Sequence, residues 1–246
     1  MPYSRSRTRS VSSALGRGLA ALAIAAVLFP QAPAVAGQLP LRSAKLADLR
    51  GEQASADVRH VADWAVDSGD PGGLPFVIVD KRDSRVFVFD AEGRLRGSSP
   101  ALVGAARGDE SVPGIGSREI ASIRPEERTT PAGRFTAVMG QGPRGEDILW
   151  VDYDSALALH RVVTSVPQER RLQRLQSKVS AERRITYGCI NVPVSFYDAV
   201  VRSTFSGSGG IVYILPESRR PQDLFGSYEV RQPAGHATAW QAHPAH

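Results

Sequence analysis

Phe76-Val77-Ile78-Val79-Asp80, the polar turn Lys81 to Arg85, and Val86-Phe87-Val88-Phe89-Asp90 together decide the fold class. Two runs of β-branched and aromatic residues joined by a short polar turn predict a β-hairpin. Outward from it, Ser98 to Val103, Arg134 to Met139, Ile148 to Asp152, Ala156 to Arg161 and Gly210 to Leu215 read as further strands. Glycine, proline and acidic clusters separate them. This density of short strands predicts a mainly β fold, a sandwich or compact barrel, and not alternating βαβ units.

Helical readings are few. Ser55 to Val66 places Val58, Val61, Ala62 and Ala65 at i, i+3, i+4 and i+7, and Asp70-Pro71-Gly72-Gly73 then breaks the chain. Pro167 to Arg183 carries Leu172, Leu175 and Val179 at helical spacing among many charges, which predicts an exposed amphipathic insertion. Pro193 to Arg202 begins with proline and continues with Phe196, Tyr197, Val200 and Val201, which predicts a helix packed just after Cys189. There is no internal repeat.

The ends differ from the middle. Arg5, Arg7, Arg9 and Arg17 form a basic region without acids, and Leu19 to Phe29 follows as an apolar stretch. That stretch is too short for a bilayer span, which needs roughly 20 residues. Ala34-Val35-Ala36 fits the small-x-small pattern of signal peptidase, so residues 1–36 read as a cleavable leader with the cut before Gly37. No cysteine follows the apolar stretch, so no lipid anchor is expected. A leader of this type fits a bacterial periplasm and is compatible with secretion beyond it.

The chain has 30 basic and 25 acidic residues; the leader takes four arginines, leaving 26 against 25. A near-neutral remainder gives no case for nucleic acid. The expected organisation is a leader at 1–36, a helical linker segment at 37–74, a β domain at 75–216 and a tail at 217–246. The tail histidines His236, His243 and His246 read as solvated, with no metal or organic cofactor implied.

Cys189 is the only cysteine, set in Arg184-Ile185-Thr186-Tyr187-Gly188-Cys189-Ile190-Asn191. Exported proteins use cysteine in disulfide pairs, so an unpaired thiol is either an incidental core residue or a nucleophile. A free thiol with a pKa near about 8.5 is only a few per cent ionised at neutral pH and needs a base. His160, ending Leu157-Ala158-Leu159-His160, is the best candidate, because His60 precedes the β region and the others lie in the tail. Gly188 allows close backbone approach, and the amides of Tyr187, Gly188 and Cys189 suit an oxyanion hole.

Thr186-Tyr187-Gly188-Cys189-Ile190-Asn191 resembles the [Ser/Thr]-x-Gly-Cys-x-[Asn/Arg] signature of L,D-transpeptidase catalytic domains of the YkuD type. Thr130-Pro131-Ala132-Gly133-Arg134-Phe135 is similar to the Thr-Pro-x-Gly-x-Phe segment of those domains, and His160 precedes the cysteine as their base does. The resemblance covers about Pro75 to Pro216. It implies attack of Cys189 on the L-to-D peptide bond of a peptidoglycan stem, loss of D-alanine, a thioester, and transfer to an amine with a 3-3 crosslink as product. By the same resemblance His160 is base and then acid. Tyr187, Gly188 and Cys189 hold the oxyanion, and Asn191, Arg161 and Thr186 orient the loop or the stem.

The chain departs from the pattern in three places. Tyr187 stands where histidine is usual, and Arg161 where Gly or Ser is usual. The separation of His160 and Cys189, 29 positions, is longer than usual, and Pro167 to Arg183 accounts for the excess. The Arg161 carbonyl remains able to orient the imidazole, and its side chain to reach a stem carboxylate. Two other readings stand beside this one: hydrolysis of the same thioester, as a carboxypeptidase or amidase, and a wall-binding protein without turnover. Asp152 and Asp154 near His160, and Arg118, Arg124, Arg128 and Arg134 around the Thr-Pro segment, read as solvated surface groups, and Arg107-Gly108-Asp109 is an adhesion-like tripeptide that by itself means little.

Overall fold

The fold is described from a computed structural model covering residues 43–231. The expected leader and cleavage site, and the three tail histidines, lie outside the described residues.

Ten strands are formed: β1 Phe76–Asp80, β2 Arg85–Phe89, β3 Leu95–Pro100, β4 Val103–Gly104, β5 Gly133–Gln141, β6 Asp147–Asp152, β7 Leu157–Arg161, β8 Arg184–Thr186, β9 Ile190–Val192 and β10 Gly210–Ile214. Eight make one sheet in the order β3-β2-β1-β10-β5-β6-β7-β9, and β4 pairs with β8. The hairpin is in register from Phe76 opposite Phe89 to Asp80 opposite Arg85. β1 also runs parallel to β10, and β7 parallel to β9. Just beyond β3, Leu102 exchanges both backbone hydrogen bonds with Asn191 of the opposite edge strand, at 2.8 and 2.9 Å. The sheet therefore curls until its edges nearly meet, a barrel-like closure that leaves little unpaired edge.

Continuous apolar runs in β1, β2 and β10 follow from burial on both faces. Val77, Val79, Val86, Val88, Val212 and Ile214 face one core. Covering it is a helix of three consecutive segments, Val194–Phe196, Tyr197–Arg202 and Ser203–Phe205, the middle one a π-turn. We call it α3; it contributes Tyr197, Val201 and Phe205.

On the other face, Phe76, Ile78, Phe87, Phe89, Ile211 and Tyr213 pack against helix α1, Ala56–Ser68, through Val58, Val61, Ala62, Trp64 and Ala65. The Ser55 hydroxyl caps α1 by accepting from the Val58 amide, and Gly69 ends it at φ 72°, in the left-handed region. A short helix α4, Pro221–Phe225, adds Phe225, stacked on Trp64 at 6.4 Å and edge-on to Tyr213 at 5.6 Å.

Four elements differ from the sequence expectation. Ser98 to Val103 is divided, because Pro100 has no N–H for a ladder and ends β3. β8 and β9 were not foreseen; each has three residues, and charged or glycine neighbours hide them. The insertion is not one helix. Only Arg171–Gln176, α2, is α-helical, between 3-10 turns at Pro167–Glu169 and Ser180–Arg183. Arg170 at φ 47° and extended Ser177 break it. Of its apolar residues only Leu175 is buried, against Leu102, Val162 and Ile185, while Leu172 and Val179 are exposed. A single anchored residue supports one turn or two, not a long amphipathic helix.

A buried charge cluster locks the loops. Lys81 Nζ donates to the carbonyls of Gly108 and Thr130 and to Asp109 Oδ1, the last two at 2.9 Å. Asp109 also accepts from the amides of Glu217 and Ser218, and Glu217 pairs with Arg184. Within Arg107-Gly108-Asp109, the Gly108 carbonyl and the buried Asp109 therefore serve this cluster, while Arg107 is exposed. Burial opposes ionisation of Asp109, but hydrogen bonds from Ser218, the Glu217 amide and Lys81 hold its carboxyl well below the usual range.

Lys81→Met, which strands the Asp109 carboxylate, is expected to lower unfolding free energy by about 3–5 kcal/mol in urea titrations. Because the Asp109 pKa is depressed by folding, its contribution is complete above the unfolded carboxyl value, about 3.9, and fades as pH falls below it. An acid-unfolding midpoint unchanged in Asp109→Asn would contradict this.

Candidate active site

The cysteine loop is fixed from below by Thr130. Its hydroxyl donates to the Gly188 carbonyl at 2.6 Å and accepts from the Gly104 amide at 2.8 Å. The Thr130 carbonyl is in turn held by Lys81. Gly188 sits at φ 137°, and a Cβ there would lie 2.9 Å from the Thr129 carbonyl oxygen, so only glycine fits without displacement. Thr186 closes the loop from the other side: its hydroxyl donates to the Cys189 carbonyl at 2.7 Å and accepts from the Gly188 amide at 3.2 Å. Among the described residues the Tyr187 amide has no carbonyl partner in a turn or loop and the Cys189 amide faces its own sulfur, so two of the three expected oxyanion donors are free of carbonyl partners and the third is occupied by Thr186.

Cys189 is half-buried, at the floor of a cleft of about 240 Å³ lined by Ile115, Ile123, Pro131, Leu157 and Tyr187. The wall is the loop after β4, with short 3-10 turns at Ile115–Ser117 and Ile120–Ser122. Gly116 lets this wall close on the turn before β7, since a Cβ there would lie 2.4 Å from the Asp154 carbonyl oxygen. Asp152 shapes that turn by accepting from the amides of Asp154 and Ser155, a structural use of the acid. The turn presents the Ala156 carbonyl, to which the Cys189 thiol donates at 3.5 Å. Burial pushes the thiol pKa up, while the Ala158 amide and the Arg171 charge oppose the rise.

His160 pairs in register with Asn191, and Ala158, Cys189 and Asn191 share its face of the sheet, opposite the core residues Leu159 and Ile190. Cys189 thus precedes by two positions the residue paired with His160, just outside the start of β9. Nδ1 of His160 lies 2.7 Å from the Arg161 carbonyl and so carries the hydrogen; Nε2 accepts from Asn191 Nδ2 at 3.1 Å. Burial lowers the His160 pKa, so the ring is neutral. It faces a second depression, with Arg144, Glu146, Asp147 and Ile148, and makes no hydrogen bond to the thiol in this arrangement.

The Arg161 side chain is committed elsewhere. Its guanidinium spans Asp147 and Asp198, at 2.9 and 3.0 Å, and lies over the Tyr197 ring. The arginines beside the Thr-Pro segment are likewise engaged. Arg118 and Arg124 pair with Glu127, and Arg134 with Asp70. Arg128 lies over the Tyr187 ring at 4.1 Å, so the tyrosine acts as a cleft wall held by a cation. Sequence reasoning did not identify Arg171, whose guanidinium reaches Asn191; no periodicity or motif marks it. Among the described residues no helix is long and apolar enough to cross a membrane, and no group of three metal-ligating side chains is assembled.

Comparison with protein-family models gave no match, and neither did comparison with curated proteins. Comparison with solved structures gave an L,D-transpeptidase (residues 123–326) from Xylanimonas cellulosilytica, 16% identical over 57% of this chain and 60% of that one, with a TM-score of 0.37. It also gave a fused Zn-dependent amidase/peptidase/peptidoglycan-binding domain-containing protein from Clostridium acetobutylicum, 15% identical over 57% and 51%, TM-score 0.32. A third is the LD transpeptidase LdtMt1 in complex with imipenem, 13% identical over 58% and 59%, TM-score 0.31. The matches span about half to three-fifths of those chains, and at these scores the likeness carries no activity over.

A raised thiol pKa predicts little thiolate at neutral pH in the unliganded protein. Alkylation of Cys189 by iodoacetamide, followed by mass spectrometry, should keep rising through pH 9; a plateau below pH 8 would contradict the resting geometry. Thr130→Val, which leaves the Gly188 carbonyl and Gly104 amide without their partner, should cost about 1–3 kcal/mol of stability in urea unfolding.

Proposed function

We propose that the chain is an exported cysteine L,D-transpeptidase acting on peptidoglycan stem peptides. The observation that carries this reading is the loop around Cys189. A lone thiol stands in a cleft beside two amides that no loop carbonyl engages, on a loop built by the two segments that resemble the transpeptidase motifs. The near-neutral charge after removal of the leader, and the leader itself, suit an extracytoplasmic substrate.

The chemistry follows from the groups present. The Cys189 thiol turns from the Ala156 carbonyl and passes its proton to His160 Nε2, which exchanges its bond from Asn191 for the new hydrogen. The sulfur adds to the carbonyl of the bond joining the third and fourth stem residues, and the amides of Tyr187 and Cys189 receive the developing oxyanion. Collapse breaks the C–N bond, and His160 gives its proton to the departing D-alanine amine. An amine of a second stem then adds to the thioester carbonyl, loses a proton to His160, and expels the thiolate. The Arg161 carbonyl holds the imidazole through Nδ1 throughout. No cofactor enters these steps.

One observation favours a second reading. The thiol is bonded to a carbonyl and the imidazole is saturated, as in a wall-binding protein without turnover.

Incubation of disaccharide-tetrapeptide muropeptides with the protein lacking residues 1–36, analysed by mass spectrometry, separates the readings. Crosslinked dimers lacking one D-alanine, lost in both Cys189→Ala and His160→Ala, are the expected result. Tripeptide monomers alone would assign hydrolysis, and no product from the parent protein would favour binding.

A further inference from the structure

Arg171 takes no part in the steps above, yet it is the charged side chain closest coupled to them. Its Nη1 donates to Asn191 Oδ1 at 2.8 Å, and its Nε to Glu169 Oε2 at 2.5 Å. It is mostly buried, with a side-chain exposure of 13%. A guanidinium has donors only, so the Asn191 atom facing it must be oxygen. The Asn191 NH2 is then turned toward His160, whose Nε2 lies 3.1 Å away and can only accept. His160 Nδ1 faces a carbonyl and can only donate. From Glu169 through Arg171, Asn191 and His160 to the Arg161 carbonyl, the contacts admit one arrangement of donors and acceptors. Reversing the Asn191 amide would set two donors against each other at one end and two acceptors at the other.

We infer that Arg171 is a positioning residue: it fixes the orientation of the Asn191 amide and thereby keeps His160 Nε2 unprotonated, ready to accept from Cys189. The inference rests on the roles proposed above for Cys189 and His160. Arg171 does not need its own bonds to stay in place. Leu175 anchors α2 in the small core with Leu102, Val162 and Ile185, and Arg174 ties the segment to the carbonyls of Glu169 and Glu182. Without the guanidinium, Asn191 is free to turn its oxygen to Nε2 and stabilise a proton there.

The charged groups facing His160 come from three elements. Arg171 lies on α2, Arg144 and Glu146 lie in the turn between β5 and β6, and Asp147 begins β6 beside the same depression; the neutral Arg161 carbonyl belongs to its own strand. Glu146 favours the protonated ring, and Arg171 and Arg144 oppose it. Arg171 is also the cation that favours the thiolate of Cys189. Its removal therefore pushes both groups toward their protonated forms.

The test uses the full chain with Arg171→Met, Arg171→Lys and His160→Ala, reading iodoacetamide alkylation of Cys189 against pH and long-range 15N spectra of the His160 ring. Arg171→Met should slow alkylation about tenfold at pH 8, the equivalent of one pKa unit. It should also bring a proton onto Nε2 at a pH where the parent ring is neutral. Arg171→Lys, which keeps a donor and the charge, should restore most of both signals. Parent-like spectra and rates in Arg171→Met would overturn the inference, whatever His160→Ala does. An alkylation profile unchanged in His160→Ala would count against the base assignment alone, since the ring spectrum still reports the amide orientation. Should Arg171→Met not fold, Asn191→Asp places oxygen against Nε2 by itself. Nε2 should then be protonated, and a ring that stays neutral would overturn the claim.

Discussion

The Thr130 hydroxyl, between the Gly188 carbonyl and the Gly104 amide, is the contact on which the geometry around the thiol depends. It joins the end of strand β4 to two loops, the one before β5 and the one before β9. A hydroxyl suits the place because it donates once and accepts at the same time, so both backbone groups are satisfied by a single side chain. Its own backbone is held by Lys81, and Lys81 by Asp109. The cysteine loop is thus supported by a buried polar column and not by strand pairing alone. Such a column is costly if any member is lost, since each would leave a buried group without a partner.

Much of the fold was legible in the sequence, for physical reasons that also explain the gaps. β1, β2 and β10 announce themselves because they are buried on both faces and therefore uniformly apolar. α1 is legible because its stripe meets the sheet at helical spacing. β8 and β9 owe their existence to partners far away, at Val103 and Leu159, and three residues cannot display a period. The insertion misled for the converse reason. Leu172, Leu175 and Val179 have the right spacing, but only Leu175 finds a core.

The candidate site divides in the same way. Cys189, Gly188 and Thr130 were visible as segments of characteristic residues. That the Gly188 amide is already occupied by Thr186 was not, because a side chain folding back on its own loop leaves no trace in spacing. Arg161 drew attention by its place after His160, yet Asp147 and Asp198 claim its side chain and leave only its carbonyl facing the ring. Arg171 was one arginine among many until the third core placed it. Polar residues take their meaning from what the fold sets opposite them, and that is the part a linear reading cannot supply.

The parallel pairing of β1 with β10 has a kinetic side. Phe76 finds its partner in Ile211, far along the chain, so β1 lacks one of its two neighbours until β10 is available. The column beneath the cysteine loop waits equally long, because Asp109 is capped by the amides of Glu217 and Ser218. Contacts so distant in sequence make for slow folding. A nascent chain of this topology stays threadable for as long as its last strand is withheld. Late closure therefore means that the thiol loop takes shape only once β10 and the segment that caps Asp109 are in place.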